Sequence, residues 1–250
     1  MLDVDGTLIK YDYAASPTKR VITAVKKAQE KVTVCLVTGR SIQSARIIAK
    51  ELGLTKGFAA VDSGAIVINL ETNELIYEQL IEKEDLHEII KILTKEKVNF
   101  YLKDKKYRNQ TKEEYIQFKN EDDPKDVTMI FTGEDFTLEE THRILKKLTS
   151  PNIAVARGRH DNPDKYSFQI THAKATKLHG ISVISEKLNL KHAEIIGVGD
   201  GYNDFPLLMA SGLKVAMGNA IDDLKEIADY ISPSVDDDGI ADVVEKYILK

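Results

Sequence analysis

The chain has no tryptophan, one cysteine and six prolines in 250 residues, and it lacks any apolar run of bilayer-spanning length. A single thiol, Cys35, excludes an intrachain disulfide framework and agrees with a reducing compartment. It lies in the apolar run Val32–Val37, where a buried structural thiol is expected. With no signal-peptide pattern and no spanning segment, the expected location is cytoplasmic, away from membranes. Basic charge is also in short supply: 35 Lys and Arg against 40 Asp and Glu leave a net charge of −5, which argues against a nucleic-acid partner. What remains is ordinary globular composition, 42% hydrophobic and 30% charged, in a chain long enough for one large or two modest domains.

Leu2-Asp3-Val4-Asp5-Gly6-Thr7-Leu8 carries the most chemistry. At a strand end, side-chain alternation puts Asp3 and Asp5 on one face and turns Val4 toward packing. Gly6 permits a sharp turn, and Thr7 adds a hydroxyl where the backbone leaves the sheet. Two carboxylates this close repel unless a cation lies between them or one is protonated, so the pattern calls for a divalent metal, proton transfer, or both. A surface Asp-Gly turn is the plain alternative. Only Met1 and Leu2 precede Asp3, short for a central strand, and the expectation is that upstream residues are missing through a misplaced start or trimming.

Further along, Thr18 caps a helix using Val21, Ile22, Val25 and Ala28. Val32–Val37 reads as a strand covered on both faces, ending at Thr38-Gly39-Arg40. Ser41 caps a helix with Ile42, Ala45, Ala49 and Leu52 on one side, and Phe58–Val61 is a strand ending at Asp62-Ser63-Gly64. This alternation predicts an α/β fold with a doubly wound, mostly parallel Rossmann-like sheet. From about residue 65 the pattern changes. Ala65–Asn69 and Leu75–Gln79 form a hairpin pattern, and two helix-then-strand units follow: Leu86, Ile89, Ile90 and Leu93 before Val98–Leu102, then Leu138, Ile144, Leu145 and Leu148 before Ile153–Val155. With strands Val127–Phe131 and Tyr166–Thr171, they predict an inserted α+β cap, a small open sheet backed by two helices. The polar stretch 103–126, with Tyr107, Tyr115 and Phe118, is expected to be a mobile excursion. After Thr176 the first style resumes with a helix using Leu178, Ile181, Ser185 and Leu188, a strand Glu194–Val198, short strands Leu213–Met217 and Asp229–Ile231, and helices around Asp223–Ala228 and Ile240–Ile248. The expected domains are a core of residues 1–67 and 173–250 and a cap of residues 68–172.

Loops at the carboxyl ends of a parallel sheet converge on one crevice. Here they carry Asp3 and Asp5, Thr38-Gly39, Lys177, and Asp200 to Asp204. Carboxylates suit a hard cation such as Mg2+, which accepts substrate phosphate as a further ligand. A hydroxyl, a backbone N–H and a lysine can surround the remaining phosphate oxygens. Singly, each residue has a structural explanation as a turn former or solvated side chain. Their order at successive strand ends points to one site.

Asp3-Val4-Asp5-Gly6-Thr7, Thr38-Gly39-Arg40, Lys177 and Gly199-Asp200-Gly201-Tyr202-Asn203-Asp204 resemble the four ordered motifs of haloacid dehalogenase superfamily phosphatases. Val215-Ala216-Met217-Gly218-Asn219-Ala220 and Asp237-Asp238-Gly239-Ile240-Ala241 are similar to the Cof-like, class IIB branch. Ser63-Gly64-Ala65 departs from the Asn-Gly-Ala of many relatives, which bears on a cap-edge substrate contact. The resemblance implies that Asp3 attacks phosphorus to form an aspartyl-phosphate and that Asp5 protonates the leaving alcohol, then helps activate water. It implies Mg2+ held by Asp3, the Asp5 backbone carbonyl and Asp200, with Asp204 either a direct ligand or a partner of the metal's waters. Thr38, the Gly39 N–H and Lys177 would hold the phosphoryl group, with Asn203 close by, and Arg40 is expected in an ion pair supporting its loop.

The implied activity is hydrolysis of a small phosphorylated metabolite, with hexose phosphates, phosphoglycolate and pyridoxal phosphate as candidates by family analogy. The cap is expected to choose among them and to close over the site, with the basic cluster Arg157, Arg159 and His160 either contributing or forming a solvated turn. A phosphomutase could use the same aspartyl-phosphate. A phospho-accepting signalling module or a non-catalytic sugar-phosphate binder are the alternatives outside enzymology. A dehalogenase needs neither Asp5 nor the metal.

Overall fold

The computed structural model of the chain describes residues 1–11, 15–104, 116–117, 119, 124–132, 136–158 and 165–250. Helix α1 (Lys19–Ala28) begins where Thr18 Oγ1 accepts the Val21 N–H at 3.2 Å, and it buries Val21, Ala24, Val25 and Ala28. Strand β1 (Leu36–Val37) is followed by α2 (Ile42–Leu52), capped by Ser41 as expected, and by the fully buried β2 (Phe58–Val61), which pairs with β1 in parallel. Val32 is 39% exposed, so coverage on both faces starts only at Val34, later than its apolar run suggests. The hairpin β3 (Ile66–Asn69) and β4 (Leu75–Glu78) pairs antiparallel with β2 and extends the same sheet. The boundary expected at 67/68 therefore falls inside a core strand.

A second apolar cluster starts at Ile81. Helix α3 (Lys83–Lys95) leads to β5 (Phe100–Asp104), β6 (Ile116–Gln117), β7 (Val127–Thr132), α4 (Leu138–Leu145), β8 (Ile153–Gly158) and β9 (Ser167–His172). The strands form an antiparallel sheet in the order β6-β5-β7-β9-β8. Phe100, Leu102, Ile130, Phe168 and Ile170 pack with Leu86, Ile89, Leu93 and Ile144 from the helices. The alternate residues Lys103, Gln169 and Thr171 look the other way, toward the core. Leu138 does not join this cluster; it is 52% exposed, and α4 instead buries Thr141 and Ile144. Of the polar stretch expected to be mobile from residue 103, Lys103 and Asp104 are buried in β5, whereas Tyr107, Tyr115 and Phe118 lie outside the described residues.

The chain returns through α5 (Lys177–Leu188), β10 (Ile196–Gly199), α6 (Phe205–Met209), β11 (Leu213–Ala216), α7 (Asp222–Glu226), β12 (Tyr230–Ile231) and α8 (Gly239–Tyr247). Strands β10, β11 and β12 run parallel, and Leu2 joins the two halves by bridging in parallel to Leu36 on one side and Val198 on the other. Leu2 donates to the Cys35 carbonyl at 2.9 Å, and Asp3 donates to the Val198 carbonyl at 3.0 Å. The Asp3 loop is thereby placed at the centre of the sheet. Helix α5 buries Lys177, Gly180, Ile181 and Ile184 and exposes Leu178, correcting the expected apolar face. The rotation has a steric cause: a Cβ on Gly180 would lie 2.7 Å from the Ala60 methyl, so only glycine lets this face lie directly on β2.

Candidate active site

Gly6 fixes the first loop. Its φ of +77° is left-handed, and a Cβ there would come within 2.4 Å of Asp200 Oδ2, so glycine serves both conformation and space. Asp3, Asp200 and Asp204 are buried, and each offers a carboxylate oxygen within 4.8 Å of the others. Lys177, at the first turn of α5, donates to Asp3 Oδ1 at 2.6 Å and to Asp204 Oδ1 at 2.5 Å. It reaches the site from a helix start following a cap strand rather than from a core strand end. Asp204 Oδ2 accepts the N–H groups of Asp200 and Gly201, both at 3.0 Å, tying the last motif to itself.

One ammonium faces three carboxylates, and the electrostatics follow from that count. Burial, then the charges of Asp204, Asp200 and Asp5, push the Asp3 carboxyl well above its ordinary range against the opposing pull of Lys177. Burial works against the Lys177 charge too, but Asp204 and Asp3 outweigh it and raise its affinity for its proton. Among the described residues, three clustered carboxylates share one ammonium, an excess of negative charge that a divalent cation would offset. The all-oxygen donor set fits Mg2+. Thr7 Oγ1, beside this cluster in sequence, is buried with no hydrogen-bond partner among the described residues.

Asp5 and Asp3 have different partners. The Asp5 carboxylate is outside the three-acid cluster and lies in the fork of Arg40, with Nη2 to Oδ1 at 2.7 Å and Nε to Oδ2 at 3.0 Å. This is the expected loop-supporting ion pair of Arg40, with Asp5 as its partner. Thr38 is fully buried, and its Oγ1 accepts the Arg40 N–H at 3.0 Å. Asn203 and Lys177 line a cleft of about 350 Å³ between core and cap, shared with Ser63, Arg157, Gln169 and Tyr202. In that cleft the Arg157 guanidinium lies 3.9 Å from the Tyr166 ring centre and 4.2 Å from that of Tyr202, joining a cap strand to the last core motif. Arg159 and His160 lie outside the described residues. Ser63 reaches the cap, donating to Gln169 Oε1 at 2.6 Å.

Two further residues, Tyr11 and Asn219, contribute contacts. The Tyr11 hydroxyl donates to Asp200 Oδ2 at 2.8 Å, and no periodicity or motif marks that residue. Asn219 donates to the Gly6 carbonyl at 2.8 Å and accepts the Val235 N–H at 2.7 Å, stitching the first loop to the C-terminal part of the core. Its signal was present in Gly218-Asn219-Ala220 after a strand, without a role attached.

A family model described as haloacid dehalogenase-like hydrolase matches residues 1–244. Among curated proteins, the chain is 27% identical to the 5-amino-6-(5-phospho-D-ribitylamino)uracil phosphatase YcsE of Bacillus subtilis, covering 99% of this chain and 94% of that protein. It is 25% identical to a phosphoglycolate phosphatase of Methanosarcina acetivorans, covering 98% and 94%. Among solved structures, a haloacid dehalogenase-like hydrolase from B. subtilis superposes with a TM-score of 0.80 at 22% identity, covering 98% of this chain and 99% of that one. A sugar phosphatase of subclass IIB in that superfamily gives 0.76 at 22% identity, covering 98% and 97%.

Proposed function

The chain belongs to the haloacid dehalogenase-like hydrolase family, and from that premise we propose that it is a Mg2+-dependent phosphatase of small phosphomonoesters. The observation that carries this is Lys177 bridging Asp3 and Asp204 inside a buried three-carboxylate cluster, at the carboxyl ends of the central strands. Mg2+, held by Asp3, Asp200, the Asp5 backbone carbonyl and Asp204 directly or through water, would neutralise phosphate charge and align the ester. Asp3 attacks phosphorus, and the bond to the alcohol oxygen breaks as an aspartyl-phosphate forms. Asp5, released from the Arg40 fork and protonated from solvent, gives that proton to the departing oxygen and then, as a carboxylate, takes one from the water that cleaves the aspartyl-phosphate, regenerating Asp3. Lys177, Thr38 and the Gly39 N–H hold the phosphoryl oxygens, and Asn203 faces the substrate from the cleft. The unit from Ile81 to about His172 acts as the cap that selects the organic part of the substrate, which the named relatives suggest is a phosphorylated sugar, sugar-like chain or small acid.

Inorganic phosphate release across a panel of such compounds, with Mg2+ or chelator, tests this. Release that needs Mg2+ and disappears in Asp3→Asn supports hydrolysis. Conversion to an isomeric phosphate without release would replace it by phosphoryl transfer within the substrate.

A further inference from the structure

We infer that Lys103, a cap residue, is a positioning residue for the phosphate-holding loop Thr38-Gly39-Arg40, so that the loop is completed only when the cap is docked. The inference rests on the phosphatase assignment for the loop's task. Each of the three loop carbonyls has a defined donor: Ser63 N–H to Thr38 at 3.1 Å, Lys103 Nζ to Gly39 at 2.6 Å, and Asp62 N–H to Arg40 at 2.9 Å. Two of these donors are core backbone. The middle one is a side chain carried in by the cap. The Gly39 carbonyl shares a peptide plane with the Arg40 N–H, which donates to Thr38 Oγ1 at 3.0 Å, so by holding that carbonyl Lys103 fixes the plane that orients the Thr38 hydroxyl.

The surroundings are built for this cation. Lys103 and Asp62 side chains are 4% and 3% exposed and form an ion pair at 3.0 Å. Asp62 Oδ2 also accepts from Thr128 Oγ1 at 2.8 Å, a second cap contact. The β5–β7 register shifts between Lys103 and Asp104, where Lys103 opposes Met129 and Asp104 opposes Val127, leaving Thr128 as the extra residue. A bulge of this kind re-aims side chains, and here it turns Lys103 and Thr128 onto the same Asp62 carboxylate. On the core side, Asp62, Ser63 and Gly64 hold φ values of 48°, 58° and 101°, a run of left-handed residues that presents the Asp62 carboxylate and its N–H together. A buried charge pair adds little net stability compared with apolar packing, so its geometric service to Gly39 is the better account of its presence.

The test compares the full-length protein with Lys103→Met/Asp62→Asn and with Thr128→Val. The double variant removes both buried charges together, and asparagine tolerates the left-handed conformation at position 62. Thr128→Val loosens the cap contact but leaves Lys103 on Gly39. With the best substrate and saturating Mg2+, the double variant is expected to keep a native thermal transition and lose at least about 10-fold in kcat with a smaller change in KM. Its amide exchange at Thr38–Arg40 should be at least about 10-fold faster, and Thr128→Val should show neither change. Unchanged kcat and exchange in the double variant, or an equal loss in Thr128→Val, would overturn the inference in favour of simple cap adhesion. Should the wild-type protein release no phosphate from any compound, the functional proposal fails separately. The exchange comparison then decides alone, with faster exchange supporting the positioning role and unchanged exchange overturning it.

Discussion

Asp3 shows how one side chain couples the chemistry to stability. Its folded-state pKa is raised, first by burial, above that of the unfolded chain. Through the window above the ordinary aspartate value, the folded state therefore binds the extra proton, and metal-free stability falls as pH rises. Asp3→Asn should flatten that slope and, in chelator, raise neutral-pH stability, as measured by urea denaturation. Equal slopes for the two proteins would count against the electrostatic account. Mg2+ should remove the wild-type penalty as well, raising stability by about 2.7 kcal/mol at a hundredfold excess over its dissociation constant. The same linkage makes Mg2+ binding release protons and weaken toward acid pH, which calorimetry in buffers of different ionisation enthalpy would read.

At the scale of elements, α5 is both a packing helix and the carrier of Lys177. Replacing Gly180 with alanine gains about 1 kcal/mol in helix propensity, but the new methyl would sit 2.7 Å from that of Ala60 and 3.2 Å from Gly64 Cα. Overpacking costs about 1–3 kcal/mol, so the net effect should be destabilising. Because Lys177 lies one turn earlier, kcat should fall in Gly180→Ala and recover in part with Ala60→Gly. A Gly180→Ala protein with unchanged stability and kcat would show that the helix has room to spare. The helix also marks where periodicity misleads: Leu178 looks apolar enough to face inward, yet a buried lysine and a close-packed glycine set the rotation. Leu138 in α4 is exposed for a related reason, since Thr141 and Ile144 occupy the inner face.

For the whole molecule, polar contacts at the cap–core junction include Lys103 on the Gly39 carbonyl, Lys103 and Thr128 on Asp62, and Gln169 on Ser63. Each side has its own apolar cluster, so the two can separate as bodies without opening either core. Solution scattering should therefore give a smaller radius of gyration with Mg2+ and inorganic phosphate than without them, and superimposable curves would count against cap closure. No helix among the described residues is long and apolar enough to cross a membrane. By itself, the sequence determined the alternation of core elements, the helix caps at Thr18 and Ser41, the two helices α3 and α4 of the second unit, and that Asp3, Lys177, Asp200 and Asp204 come together. These follow from local periodicity, turn chemistry and acids at strand ends, all carried by neighbouring residues. Tertiary structure alone decided that the β3–β4 hairpin joins the core sheet, that Asp5 pairs with Arg40 rather than with Asp3, that Tyr11 reaches Asp200 and that Lys103 reaches the Gly39 carbonyl. Those outcomes depend on which distant segments come to share a buried space, and a buried charge or hydroxyl takes whatever partner that space supplies.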